Sequence, residues 1–174
     1  MPDVGGVSVT ASVRENLLNN STFAEGLAGW TVWPPGTGLS KAVNVVSAAG
    51  GGNGARALRI ENGLGAMIGV QQVARVVSGG VYRLSARVRS VATNDSNVMF
   101  GGRVACYMAG QKERELVWMS EYNYWWPKEL VFTNEAFEGA AVVYAHMGYG
   151  KFSSTGEFTD IRLELLKQAT ATNR

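Results

Sequence analysis

Val81-Tyr82-Arg83-Leu84-Ser85-Ala86-Arg87-Val88-Arg89-Ser90 sorts its residues with a period of two. Tyr82, Leu84, Ala86 and Val88 fall on one side; Arg83, Ser85, Arg87 and Arg89 fall on the other. Successive side chains of an extended chain point to opposite faces, so this run predicts a strand with one face in a core and one in solvent. The same alternation recurs on either side of it. Val7–Val13 alternates strictly, and Arg103–Met108 sets Val104, Cys106 and Met108 against Arg103, Ala105 and Tyr107. Ala141–Met147 sets Val143, Ala145 and Met147 against Val142, Tyr144 and His146. Near the end, Thr159, Ile161, Leu163 and Leu165 alternate with Asp160, Arg162 and Glu164. Shorter runs at 42–46, 57–61, 67–76, 116–120 and 130–133 read as further strands.

Turn-forming clusters separate these runs: Pro34-Pro35-Gly36, Gly50–Gly54, Ser78-Gly79-Gly80 and Asn94–Asn97. No segment keeps a helical period for more than a turn or two. Many short strands at this spacing predict an all-β sandwich or barrel. With 174 residues, 46% of them apolar and 17% charged, one domain with a sizeable core is expected. Residues 1–15 read as an N-terminal arm or edge strand, 16–167 as the sandwich, and 168–174 as a polar tail.

Composition excludes several functions. A net charge of +2 is too small for a nucleic-acid binder. The single Cys106 excludes an internal disulfide and a thiolate zinc site, and the single His146 excludes a two-imidazole site. No apolar run approaches the roughly 20 residues of a membrane span, so no membrane insertion is expected. Residues 1–13 carry Asp3 and alternate, unlike a secretory signal peptide. There is no Gly-x-Ser-x-Gly elbow and no Gly-x-x-x-x-Gly-Lys loop. Glu113, Glu115, Glu121, Glu129, Glu135 and Glu138 lie in turn-rich charged segments and read as solvated surface, not as a glycosidase pair. The protein is expected not to be an enzyme.

The order of motifs carries a resemblance. Asn16-Leu17-Leu18-Asn19-Asn20-Ser21-Thr22-Phe23, then Gly26 and Gly29-Trp30, resembles the opening strand of jelly-roll carbohydrate-binding modules with a galactose-binding-like fold. Arg56–Ile60, Val70–Val73, Val81–Arg89, Trp126–Thr133 and Phe158–Leu163 are similar to successive strands of that family. The resemblance spans residues 16 to 166 and implies a two-sheet antiparallel jelly-roll sandwich. It also implies a structural calcium where the first strand meets the last. Asp160 matches the acid of the last strand, but Ala24 stands where the other acid is usual, with Glu25 displaced by one position. Hard cations need several oxygen ligands, so no cofactor is expected; Asp160 and Glu25 stay as candidate ligands, beside a reading of Asp160 as a turn or pairing residue.

In the resembling family the outer face of one sheet receives a glycan chain. Here the alternation points Arg87, Tyr107, Tyr144 and His146 away from the core, and Trp118 or Trp33 would extend the platform. Sugar rings stack their C–H faces on aromatic planes while polar side chains bond their hydroxyls. The competing reading covers these residues with a loop or a neighbouring subunit. A second cluster, Tyr122-Asn123-Tyr124-Trp125-Trp126-Pro127, concentrates aromatics. Trp126 and Trp30 match packing positions, leaving Tyr122, Tyr124 and Trp125 either as contacts with a partner or as a loop folded over the sandwich end. Cys106, on a core face, reads as a small buried hydrophobe.

Two settings share this fold. One is a structural or adhesive protein of a larger assembly, such as a phage head decoration or tail protein, whose partners are neighbouring subunits and which retains binding to polysaccharide or cell-surface glycan. The other is a glycan-binding accessory module of a polysaccharide-degrading enzyme. A chain starting at Met1 with no leader and no attached catalytic domain favours the first, on a virion or extracellular surface. The Val7–Val13 arm would suit pairing with an adjacent subunit.

Overall fold

The computed structural model describes residues 15–168, except 37, 51–54, 64 and 94–98. Eleven strands are present among the described residues. They are β1 (Glu15–Asn16), β2 (Thr31–Trp33), β3 (Val43–Ser47), β4 (Arg56–Asn62), β5 (Ile68–Val76), β6 (Val81–Thr93), β7 (Met99–Tyr107), β8 (Arg114–Ser120), β9 (Trp126–Thr133), β10 (Gly139–Met147) and β11 (Ser154–Lys167). Two short 3-10 helices, Leu39–Ala42 and Tyr149–Lys151, are the only helical turns described. The Val7–Val13 arm, the Gly51–Gly54 and Asn94–Asn97 turns and the tail beyond Gln168 lie outside the described residues.

The strands form two antiparallel sheets. The first has the order β3-β4-β11-β6-β9, with β1 also pairing β11; the second has the order β2-β5-β10-β7-β8. The chain changes sheet at every step between consecutive strands except β3 to β4 and β7 to β8. This alternation produces the expected jelly-roll sandwich.

The alternating sequence explains the packing. Tyr82, Leu84, Ala86 and Val88 of β6 meet Val104 and Cys106 of β7 and Val143, Ala145 and Met147 of β10 in one apolar cluster. Burial raises the Cys106 pKa to about 12, so it remains a protonated thiol. Trp30 is buried and Trp126 packs partly buried against the cluster, as their positions predict.

Two sequence expectations need correction. Trp118 was expected on an outer platform, but it shares its face of β8 with Leu116 and is 1% exposed in the core. Thr159 was expected on the core face. A register shift between Thr159 and Arg162 inserts one extra residue, with Asp160 at φ 55. This β-bulge turns Thr159 outward, where its hydroxyl donates to the Arg56 carbonyl (3.0 Å).

Candidate functional site

The outer face of the second sheet holds the aromatic cleft. The antiparallel register aligns Trp33 of β2 with Gly69 of β5, and Gly69 in turn with His146 of β10. A Cβ at Gly69 would overlap the Ala145 carbonyl oxygen and come within 2.6 Å of the His146 Cα. The missing side chain therefore lets the Trp33 indole lie across β5 onto β10. It meets Tyr144 edge-on with centroids 5.0 Å apart, and the His146 ring at 5.6 Å. Tyr107 of β7, 44% exposed, and Met67, 47% exposed, complete an open cleft of about 260 Å³, with Arg103 and Glu113 on its polar wall. A second hollow of about 530 Å³ begins at the same Met67 and runs over Tyr149 and the glycine-rich backbone at Gly65, Gly148 and Gly150.

One guanidinium holds two carboxylates at the cleft, which leaves this group with a net charge of minus one. Arg103 Nε donates to Glu115 at 2.6 Å, its other arm pairs with Glu113, and its guanidinium lies 5.1 Å from the Tyr149 ring centroid. Burial works to lower the Arg103 pKa, but hydrogen bonds and charges from Glu113 and Glu115 outweigh it and raise the pKa. Arg103 therefore stays cationic and holds two carboxylates as fixed acceptors. A glycosidase needs one carboxyl group set aside as a proton donor, whereas both of these sit on one guanidinium. Burial also raises the Tyr144 pKa, with Glu113 adding to the effect, so its hydroxyl remains a donor. The cleft thus offers aromatic planes, a phenol and carboxylate acceptors, which is hydrogen-bonding equipment suited to a polyol.

The structure divides the predicted site residues. Tyr107, Tyr144 and His146 come together, with Trp33 as the expected extension. His146 faces outward but is 1% exposed beneath Trp33; it supports the cleft floor and does not offer a contact surface. Its Nδ1–H donates to the Met147 carbonyl (3.1 Å). Arg87 does not join them, because β6 belongs to the first sheet. Tyr122 stacks on Trp126 at 4.5 Å, Tyr124 stays 52% exposed beside both, and Trp125 is held by its N–H to the Ala49 carbonyl (3.1 Å). The cluster therefore packs partly on itself and leaves Tyr124 exposed. Arg103, Glu113 and Glu115 were not foreseen, although Arg103 interrupts an apolar strand and Glu113 and Glu115 share one face.

The acidic side chains do not fit a calcium site. The Asp160 carboxylate accepts from Arg162 Nε at 2.6 Å, and Glu25 lies exposed with Ala24 beside it. Among the described residues, no group of three His, Cys, Asp or Glu side chains could hold a metal ion.

Burial lowers the His146 pKa. The unfolded chain takes up a proton near the ordinary value of about 6.5 while the folded one resists. Stability should therefore be fully present above that value and fall as the pH drops below it. Thermal melts between neutral and mildly acidic pH should show this loss, and His146→Gln should reduce it.

With fold and cleft in place, the comparisons place the chain. It belongs to the carbohydrate binding domain family CBM_4_9, whose profile matches residues 15–154. A domain of this family is non-catalytic by itself. The fold is similar to that of TmCBM61, solved in complex with β-1,4-galactotriose, at 19% identity and TM-score 0.63, covering 86% of this chain and 97% of that one. It is also similar to the CBM22-1 xylan-binding domain of Paenibacillus barcinonensis Xyn10C, at 15% identity and TM-score 0.61, covering 92% and 100%. A third likeness is to the enzymatically active domain of tailspike protein 4 of bacteriophage CBA120, at 13% identity and TM-score 0.64, covering 86% of this chain and 21% of that one. No curated protein matches the sequence.

Proposed function

We propose that this carbohydrate-binding module holds a neutral polysaccharide chain along the outer face of the second sheet, and that it works as an accessory to a polysaccharide-degrading enzyme. The observation that carries the site is the Trp33–Tyr144 wall beside the Arg103-bound carboxylates. The wall supplies apolar planes for sugar rings, the carboxylates accept from hydroxyls, and the hollow beyond Met67 gives room for more than one ring. Support for a polysaccharide comes from similar folds solved with galactotriose or described as xylan-binding. Support for the accessory role comes from the CBM22-1 fold, which also occurs joined to a glycoside hydrolase module in a xylanase.

Affinity electrophoresis through β-1,4-galactan and xylan should retard the wild type. Tyr107→Ala should lose about tenfold in affinity, the low end of what a contact aromatic contributes. Equal mobility of the wild type with and without every polysaccharide would remove the proposal.

The second reading places the module on a virion or comparable assembly. The tailspike likeness supports it to the extent that this fold occurs in a phage protein. Protein sequencing of purified particles from the source culture decides between the two settings.

A further inference from the structure

We propose a second ligand site on the opposite sheet, for a carboxylate-bearing sugar such as a uronic acid residue. The outer face of β6, β9 and β11 encloses a cleft of about 510 Å³, within the range usual for small-ligand sites. The Asp160 bulge shapes it. By adding one residue to β11 between the partners of Arg87 and Ser85, it brings Arg162 to the same outward surface as both.

The arginines of this face are not equivalent. Arg59 and Arg89 are both bonded to the buried Glu157, and Arg83 is bonded to Glu164 at 2.6 Å with Glu129 at 3.7 Å. Those charges are spent within the protein. Arg87 forms no ion pair among the described residues; its guanidinium lies 5.9 Å from the Trp125 ring centroid. Arg162 gives only its Nε to Asp160, which leaves its terminal nitrogens without a protein acceptor among the described residues. Two guanidinium groups with N–H donors unused among the described residues therefore line one cleft, together with Ser85, whose register partner is Arg162.

A planar fork matches a carboxylate in bidentate fashion. The ring of the sugar that carries this carboxylate needs apolar surface nearby, and two groups provide it. Pro127 lines the cleft directly opposite Arg87 on the edge strand β9, and Trp125, held by its N–H to the Ala49 carbonyl, has its ring 5.9 Å from the Arg87 guanidinium. A neutral sugar offers these forks only single hydroxyl acceptors, without the charge or the paired oxygens of a carboxylate, so the cleft favours an acidic sugar. This site uses none of the residues of the Trp33 cleft and stands or falls separately from it.

The test runs the full chain through gels containing polygalacturonate, with galactan as a separate arm. The wild type should be retarded by polygalacturonate, less so as salt is raised, and Arg87→Ala should weaken this binding at least about tenfold. Arg87→Lys should lose most of the binding too, because an ammonium keeps the charge without the fork. Trp33→Ala should leave it unchanged. Thermal melts confirm that each variant is folded; if Arg87→Ala is not, Arg162→Ala and Arg87→Lys carry the test. Free galacturonate should displace the polymer, whereas displacement by inorganic phosphate alone would overturn the assignment. So would an unretarded wild type, full binding by Arg87→Lys or Arg162→Ala, or loss of binding in Trp33→Ala.

Discussion

Replacing Trp33 by Ala should reduce affinity for a neutral polysaccharide by at least about 30-fold, the loss expected when a central aromatic contact of about 2 kcal/mol or more is truncated. Trp33 has this weight because three features of the cleft depend on it. Its indole forms one wall, it fixes the Tyr144 ring edge-on at 5.0 Å, and it covers His146. Its removal leaves Tyr144 free to rotate, so some preorganisation is lost with the stacking plane. The variant should remain folded, since Trp33 lies on an outer face near the end of an edge strand and is only half-buried. A second readout separates this from general damage. Burial is the main cause of the lowered His146 pKa, so uncovering the ring should move that pKa up towards the ordinary histidine value, visible in an NMR titration. Affinity titration with galactan or xylan oligosaccharides measures the first effect.

The largest effect on stability should come from Glu157→Gln. Glu157 is 0% exposed and its two oxygens are divided between Arg59, at 2.6 Å from Nη2, and Arg89, at 2.6 Å from Nε. The register requires this, because Glu157 pairs with Arg59 on β4 and with Arg89 on β6, and all three point outward. Glutamine keeps the shape and removes the charge, so two neighbouring guanidinium groups lose their common counter-ion. Breaking a buried pair costs about 3–5 kcal/mol. Arg59 and Arg89 keep some contact with water, so about 3 kcal/mol is expected, a fall in Tm of roughly 6–12 °C for a domain of this size. Urea melts measure it directly. Galactan binding should be unaffected, because Glu157 lies on the other sheet.

Particular residues show what could be read from the sequence. The period of two correctly set Tyr82, Leu84, Ala86 and Val88 inside and Arg83, Ser85, Arg87 and Arg89 outside, because alternation is a property of the strand itself. It carries no information about which sheet a strand joins. Arg87 was therefore grouped with Tyr144, although β6 and β10 belong to different sheets. The same limit applies to His146, whose outward direction was right and whose burial depends on Trp33, more than a hundred residues earlier. The bulge at Asp160 was invisible because Thr159 to Leu165 alternates as well on paper as a regular strand would. Trp118 was legible, since it follows Leu116 by two residues and shares its core face.

The central claim is that the outer face of the second sheet binds glycan. The most direct test is an NMR titration of the isotope-labelled chain with a neutral β-1,4-galactan or xylan oligosaccharide. The predicted result is saturable shifts of the Trp33 indole and the backbones of Tyr107 and Tyr144, with the Arg87 and Trp125 signals unmoved. Shifts confined to the first sheet, or none at all with either oligosaccharide, would contradict it.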